Sequence, residues 1–117
     1  MTAGQHDITI EQGATFQLNL VWRDSNDALV NLTGYTARMQ VRQRHTSEDP
    51  AALNLTTENG GITLGGAAGT IAIVAAATST GDITFKRGVY DLEMISASGI
   101  VTRLIEGVVT VTPEVTR

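Results

Sequence analysis

The residues able to do chemistry are few and scattered. Nucleophilic catalysis needs a serine, threonine, cysteine or lysine held beside a general base. The 117-residue sequence offers two histidines and no cysteine. His6 lies near the N-terminus and His45 in a polar stretch; neither adjoins a serine in a strained turn, and no G-x-S-x-G run occurs. Asp91 and Glu93 stand two residues apart in an alternating segment, so they share one strand face instead of converging across a pocket as an acid and a base would. Their expected role is a cross-strand pairing with Arg103. Asp24-x-x-Asp27 lacks the glycine and distal glutamate of a calcium loop. None of the 12 glycines forms a phosphate-cradling run between a strand and a helix. The expectation is a protein that is not an enzyme, with no catalytic residues, no metal and no cofactor.

One charged feature remains. Arg38, Arg42 and Arg44 alternate along a segment with Gln40 between them, and are expected on the outward face of one strand, with His45 in the adjoining loop. An exposed strand face carries polar residues in any case. As a binding feature, these four residues form a candidate protein interface suited to an acidic partner. The formal net charge of -4 opposes a nucleic-acid partner, because phosphate binding depends on Lys and Arg displacing counterions. Sheet edges offer a second docking mechanism, since an unpaired strand presents N–H and C=O groups to another chain. Lysine commonly protects such edges, and Lys86 is the sole lysine here.

The elements that must position these residues read as strands. Thr, Val and Ile supply 36 residues, and their branched side chains fit a pleated, half-buried surface better than a helix. A chain of this length buries one core and fits one domain over 1–117, with 1–6 and 112–117 expected as flexible tails. The absence of cysteine excludes disulfides and thiolate metal sites. No apolar run approaches the roughly 20 residues that span a bilayer, and the N-terminus has no basic start or apolar h-region. A soluble chain made without a secretion signal of its own is expected, with no membrane partner.

Along the chain, Asp7 to Ile10 and Thr15 to Trp22 alternate as strands, the second with Phe16, Leu18, Leu20 and Trp22 inward. A turn follows at Arg23–Asp27. Tyr35, Ala37, Met39 and Val41 face one way against Thr36, Arg38, Gln40 and Arg42. Arg44 to Pro50 is expected as a mobile loop. Leu53 to Thr56, Ile62 to Leu64 and Thr70 to Ala75 are further extended runs, and one short helical turn is expected near 76–82. Val89 to Ile95 and Ile100 to Val111 flank the hairpin loop Ser96–Gly99, with a bulge expected at Glu106-Gly107. The fold class is all-β, a single small antiparallel β-sandwich. Gly88-Val89-Tyr90-Asp91-Leu92 sets a tyrosine two residues before a core position, as in the tyrosine corner of immunoglobulin-like domains. A plain core aromatic is the other reading of Tyr90.

Four runs carry a family resemblance: Asp7 to Phe16, Val30 to Arg42, Tyr90 to Glu93 and Val101 to Arg117. They resemble small structural proteins of tailed bacteriophages, and are similar to the N-terminal immunoglobulin-like domain of phage baseplate upper proteins. The resemblance covers nearly the whole chain, but its motifs describe strands and turns and name no active site. It implies a non-enzymatic virion structural protein, docked in multiple symmetric copies on the tail or baseplate as adaptor or ornament. Its partners would be other virion proteins of tail, baseplate or capsid. It would reside in the virion, and in the host cytoplasm during assembly. In baseplate upper proteins helical and receptor-facing segments follow the domain, whereas this sequence stops at Arg117. Capsid decoration is the alternative placement. A host-surface carbohydrate-binding module is a further alternative, which would need exposed aromatics where Trp22 and Tyr90 are expected inward.

Overall fold

Alternation with a period of two commits each strand to one buried face, because a slip of one residue would turn its whole apolar set to water. A computed structural model describes residues 3–48 and 51–116, so Asp49 and Pro50 of the expected mobile loop, and the extreme ends of both expected tails, lie outside the described residues. The strands are β1 (Gly4–Gln5), β2 (Ile8–Glu11), β3 (Phe16–Val21), β4 (Thr36–Arg42), β5 (Leu53–Thr56), β6 (Ile62–Leu64), β7 (Thr70–Ala75), β8 (Arg87–Ile95) and β9 (Val101–Thr112). A short helix, α1 (Ala77–Gly81), lies where the helical turn is expected.

Two sheets face each other. The larger has the order β1-β9-β8-β4-β5, with β2 also on β9; the smaller has the order β3-β7-β6. Met39 and Val41 of β4, Leu92 and Met94 of β8, Ile71 and Ile73 of β7, and Ile10 of β2 form the buried interior, all essentially without solvent exposure. Each such side chain contributes roughly 1.5–3 kcal/mol by leaving water. This is the all-β sandwich that the alternation predicts.

Three local expectations are corrected. First, the N-terminal strands pair parallel with β9, Gly4 beside Ile105 and Ile8 beside Val109, where an antiparallel arrangement is expected throughout. Gly4 and Gln5 are therefore strand residues and not a flexible tail. At the other end Glu114, also expected in a tail, donates its backbone N–H to Gln12 Oε1 at 3.0 Å.

Second, the irregularity in β9 falls earlier than Glu106-Gly107. Leu92 faces Ile105 but Glu93 faces Arg103, which leaves Leu104 as the extra residue. Gly107 stays in register opposite Tyr90. It is glycine for a different reason: a Cβ there would collide with the carbonyl of His6.

Third, of the two readings of Tyr90 the tyrosine corner gives way to the core aromatic: the ring is buried, and its hydroxyl donates to that same His6 carbonyl, in the link between β1 and β2 and 84 residues away, where a tyrosine corner bonds backbone a few residues upstream. Asp7 completes the join by accepting the Val108 N–H on Oδ1 at 2.9 Å. The parallel ladder is thus bridged by side chains where β1 and β2 are interrupted.

Candidate protein-docking face

The outward face of the larger sheet gathers most of the charged side chains that the sequence singles out. Its register decides the pairs: Arg38 lies opposite Glu93, Gln40 opposite Asp91, and Asp91 opposite Glu106. Arg38 Nε meets Glu93 Oε1 at 2.6 Å. Arg103 meets Asp91 at 3.5 Å and Glu106 at 3.3 Å. The expected pairing of Arg103 with both acids is thus half met, since Glu93 turns to β4 instead. These exposed pairs each contribute about 0–1 kcal/mol, so they order the face more than they stabilise it.

Arg42 is anchored as well, donating from Nη2 to Gln40 Oε1 at 2.8 Å and from Nη1 to the Ser47 carbonyl at 3.1 Å. The second bond ties the strand to the following turn, where Ser47 Oγ also accepts the Arg44 N–H at 2.9 Å. Arg44 is exposed but lies past the end of β4, in that turn, so of the three arginines Arg38 and Arg42 stand in the outward strand row. His45 is exposed in the same turn.

Between these residues lies a shallow depression of about 440 Å³, lined among others by Gln5, Arg42, His45, Asp91, Arg103 and Glu106. Of the four expected interface residues, Arg42 and His45 meet there. Burial raises the Asp91 carboxyl above its usual range, repulsion from Glu93 raises it further, and Arg103 partly offsets both. The face therefore holds a carboxylate where charge is disfavoured, with cationic and amide groups around it. Such a mosaic suits recognition by paired hydrogen bonds and ions.

Gln5, Arg103 and Glu106 escape a reading of the sequence as parts of this site. The Leu104 bulge resets the phase of β9, and only the parallel pairing brings Gln5 beside Glu106. A mid-strand glycine signals an irregularity but not its position. The acidic pair Asp24 and Asp27 serves a turn: Asp24 Oδ1 accepts the N–H groups of Asn26 and Ala28, and Asp27 has a positive φ of 63°.

Trp22 is half-buried and meets Tyr35 edge to face at 5.9 Å between ring centres. No protein-family model matches the sequence, and no curated protein matches it.

Proposed function

We propose that the protein is a non-enzymatic structural component of a tailed-phage virion, docking in multiple copies on the tail or baseplate through the outward face of its larger sheet. One observation carries the reading. The four runs that resemble baseplate upper proteins supply β2, β4, β8 and β9, which lie side by side in one sheet in the order β2, β9, β8, β4. The resemblance thus falls on one continuous framework. Its outward side carries the mosaic of Arg38, Arg42, Asp91, Glu93 and Arg103. The fold is immunoglobulin-like in this reading, and an acidic segment of a neighbouring virion protein would meet Arg42, Arg44 and His45. The runner-up placement, as a capsid decoration protein, uses the same face on a different neighbour.

The test is quantitative mass spectrometry of purified virions. The chain is expected in a fixed, multiple stoichiometry to a tail or baseplate protein. Its absence from intact particles would remove the proposal, and a ratio locked to the major capsid protein would favour decoration.

A further inference from the structure

Among the described residues, the smaller sheet leaves β3 as an edge, with β7 its ladder partner along Phe16–Val21. The hydrogen-bond phase of that ladder is fixed at its end, where the Trp22 N–H donates to the Gly69 carbonyl at 2.8 Å. Even-numbered residues of β3 therefore direct their backbone groups to β7, and Gln17, Asn19 and Val21 direct theirs to the open side. These three side chains are exposed on the outer face of the sheet, while Leu18 and Leu20 point inward and are only half-covered.

Natural edges are commonly blunted by lysine, proline, an inward charge or a bulge. β3 has none of these: from Gln12 to Trp22 no residue is charged or proline, and its ladder with β7 runs without a register shift. The other edges differ. β6 spans only Ile62–Leu64, β5 only Leu53–Thr56, β1 and β2 are short and broken at His6-Asp7, and the unpaired start of β9 carries Arg103 and the Leu104 bulge.

We propose that β3 pairs with β3 of a second copy of this chain, antiparallel about a two-fold axis at Asn19. In that register Asn19 faces Asn19 of the other copy and Gln17 faces Val21, and these are the residues whose N–H and C=O groups point outward, so both ladders close without a slip. The alternate positions bring Leu18 against Leu20 and Phe16 against Trp22, in the non-hydrogen-bonded pairs where side chains approach most closely. The inward leucines of each copy thereby gain the cover that one sandwich alone does not give them. A second copy fits better than a charged partner, because the edge is neutral and its sequence is complementary to itself in a register that its own hydrogen-bond phase permits. The interface is a single six-residue ladder with its flanking side chains. A contact this small falls in the weak class of interfaces, so dimerisation is expected to be no tighter than on the order of micromolar concentration. The inference rests on β3 alone and does not depend on the virion reading.

The chain has no cysteine, so a single introduced thiol reports only contacts between copies. Asn19→Cys would stand about 5.5 Å (Cα to Cα) from its equivalent, within disulfide range. It is expected to cross-link under mild oxidation at micromolar protein, whereas Thr63→Cys on β6 is not. Asn19→Lys sets two like charges on the axis and is expected to raise the dissociation constant at least about tenfold in sedimentation equilibrium, with an unchanged circular-dichroism spectrum. A wild-type chain that remains monomeric up to about 1 mM would overturn the inference. So would cross-linking through Thr63→Cys in place of Asn19→Cys, or a dimer that Asn19→Lys leaves unaffected.

Discussion

At the scale of single residues, two side chains of β8 have opposite surroundings. The Tyr90 hydroxyl is pushed up to about 12 by burial, with the negative charge of Asp7 adding to the effect, and it donates to the His6 carbonyl. Its folded value exceeds its unfolded value of about 10, so its contribution is fully present below pH 10 and is lost as pH rises through the folded value. Tyr90→Phe is expected to lower stability by about 1–2 kcal/mol near neutral pH and to flatten the alkaline fall between about pH 10 and 12. Urea titrations at a series of pH values read both effects. Asp91 works against the fold: because burial raises its carboxyl, its contribution is present below the ordinary carboxylate range and lost as pH rises through the raised value. Asp91→Asn is therefore expected to leave stability at pH 7 equal or slightly higher, the effect being small because solvent screens a side chain this exposed. A loss of more than about 1 kcal/mol in the same titration would show that the Arg103 pair outweighs burial.

At the scale of elements, most strands are legible because Ala37, Met39 and Val41, or Tyr90, Leu92 and Met94, repeat every second residue on a buried face. What escapes the sequence is relational. Nothing in Asp7-Ile8-Thr9-Ile10 says that it pairs parallel with a strand a hundred residues on, or that Gly107 keeps its place clear for the His6 carbonyl. The bulge likewise moves from Gly107 to Leu104 because backbone clearance and register irregularity leave the same trace in the sequence, a lapse in alternation.

The short helix shows a third kind of hidden relation. Thr80 of α1 is fully buried; its Oγ1 accepts the Gly13 N–H at 3.1 Å and donates to the Ala14 carbonyl at 2.8 Å. A threonine in an alanine-rich turn gives no hint of this, yet it fastens α1 to the β2–β3 turn. Thr80→Val keeps the volume and strands both partners, with an expected loss of about 1–3 kcal/mol in thermal or chemical denaturation. An unchanged midpoint would mean that water replaces the hydroxyl.

At the scale of the whole molecule, the two sheets present unlike outer surfaces. The larger offers the ion-paired mosaic around Asp91 and Arg42, and the smaller offers the neutral edge of β3. Of the candidate interface, Arg38, Arg42 and His45 are legible as polar residues of one region, whereas the pairings that order them depend on β8 and β9. Arg42 holds Gln40 and the Ser47 carbonyl, so Arg42→Glu disturbs the turn as well as the charge, while Arg44→Glu changes charge at an exposed position. Both are expected to weaken incorporation into particles, with Arg44→Glu retaining the wild-type melting temperature; incorporation of both at the wild-type level would show that partners bind elsewhere.

The proposed docking of this sandwich on the tail or baseplate of a phage particle can be read from antibody labelling of purified virions viewed by electron microscopy. Label is expected at the tail or its tip. Label over the head would contradict that placement in favour of capsid decoration, and intact particles without label would contradict the virion assignment itself.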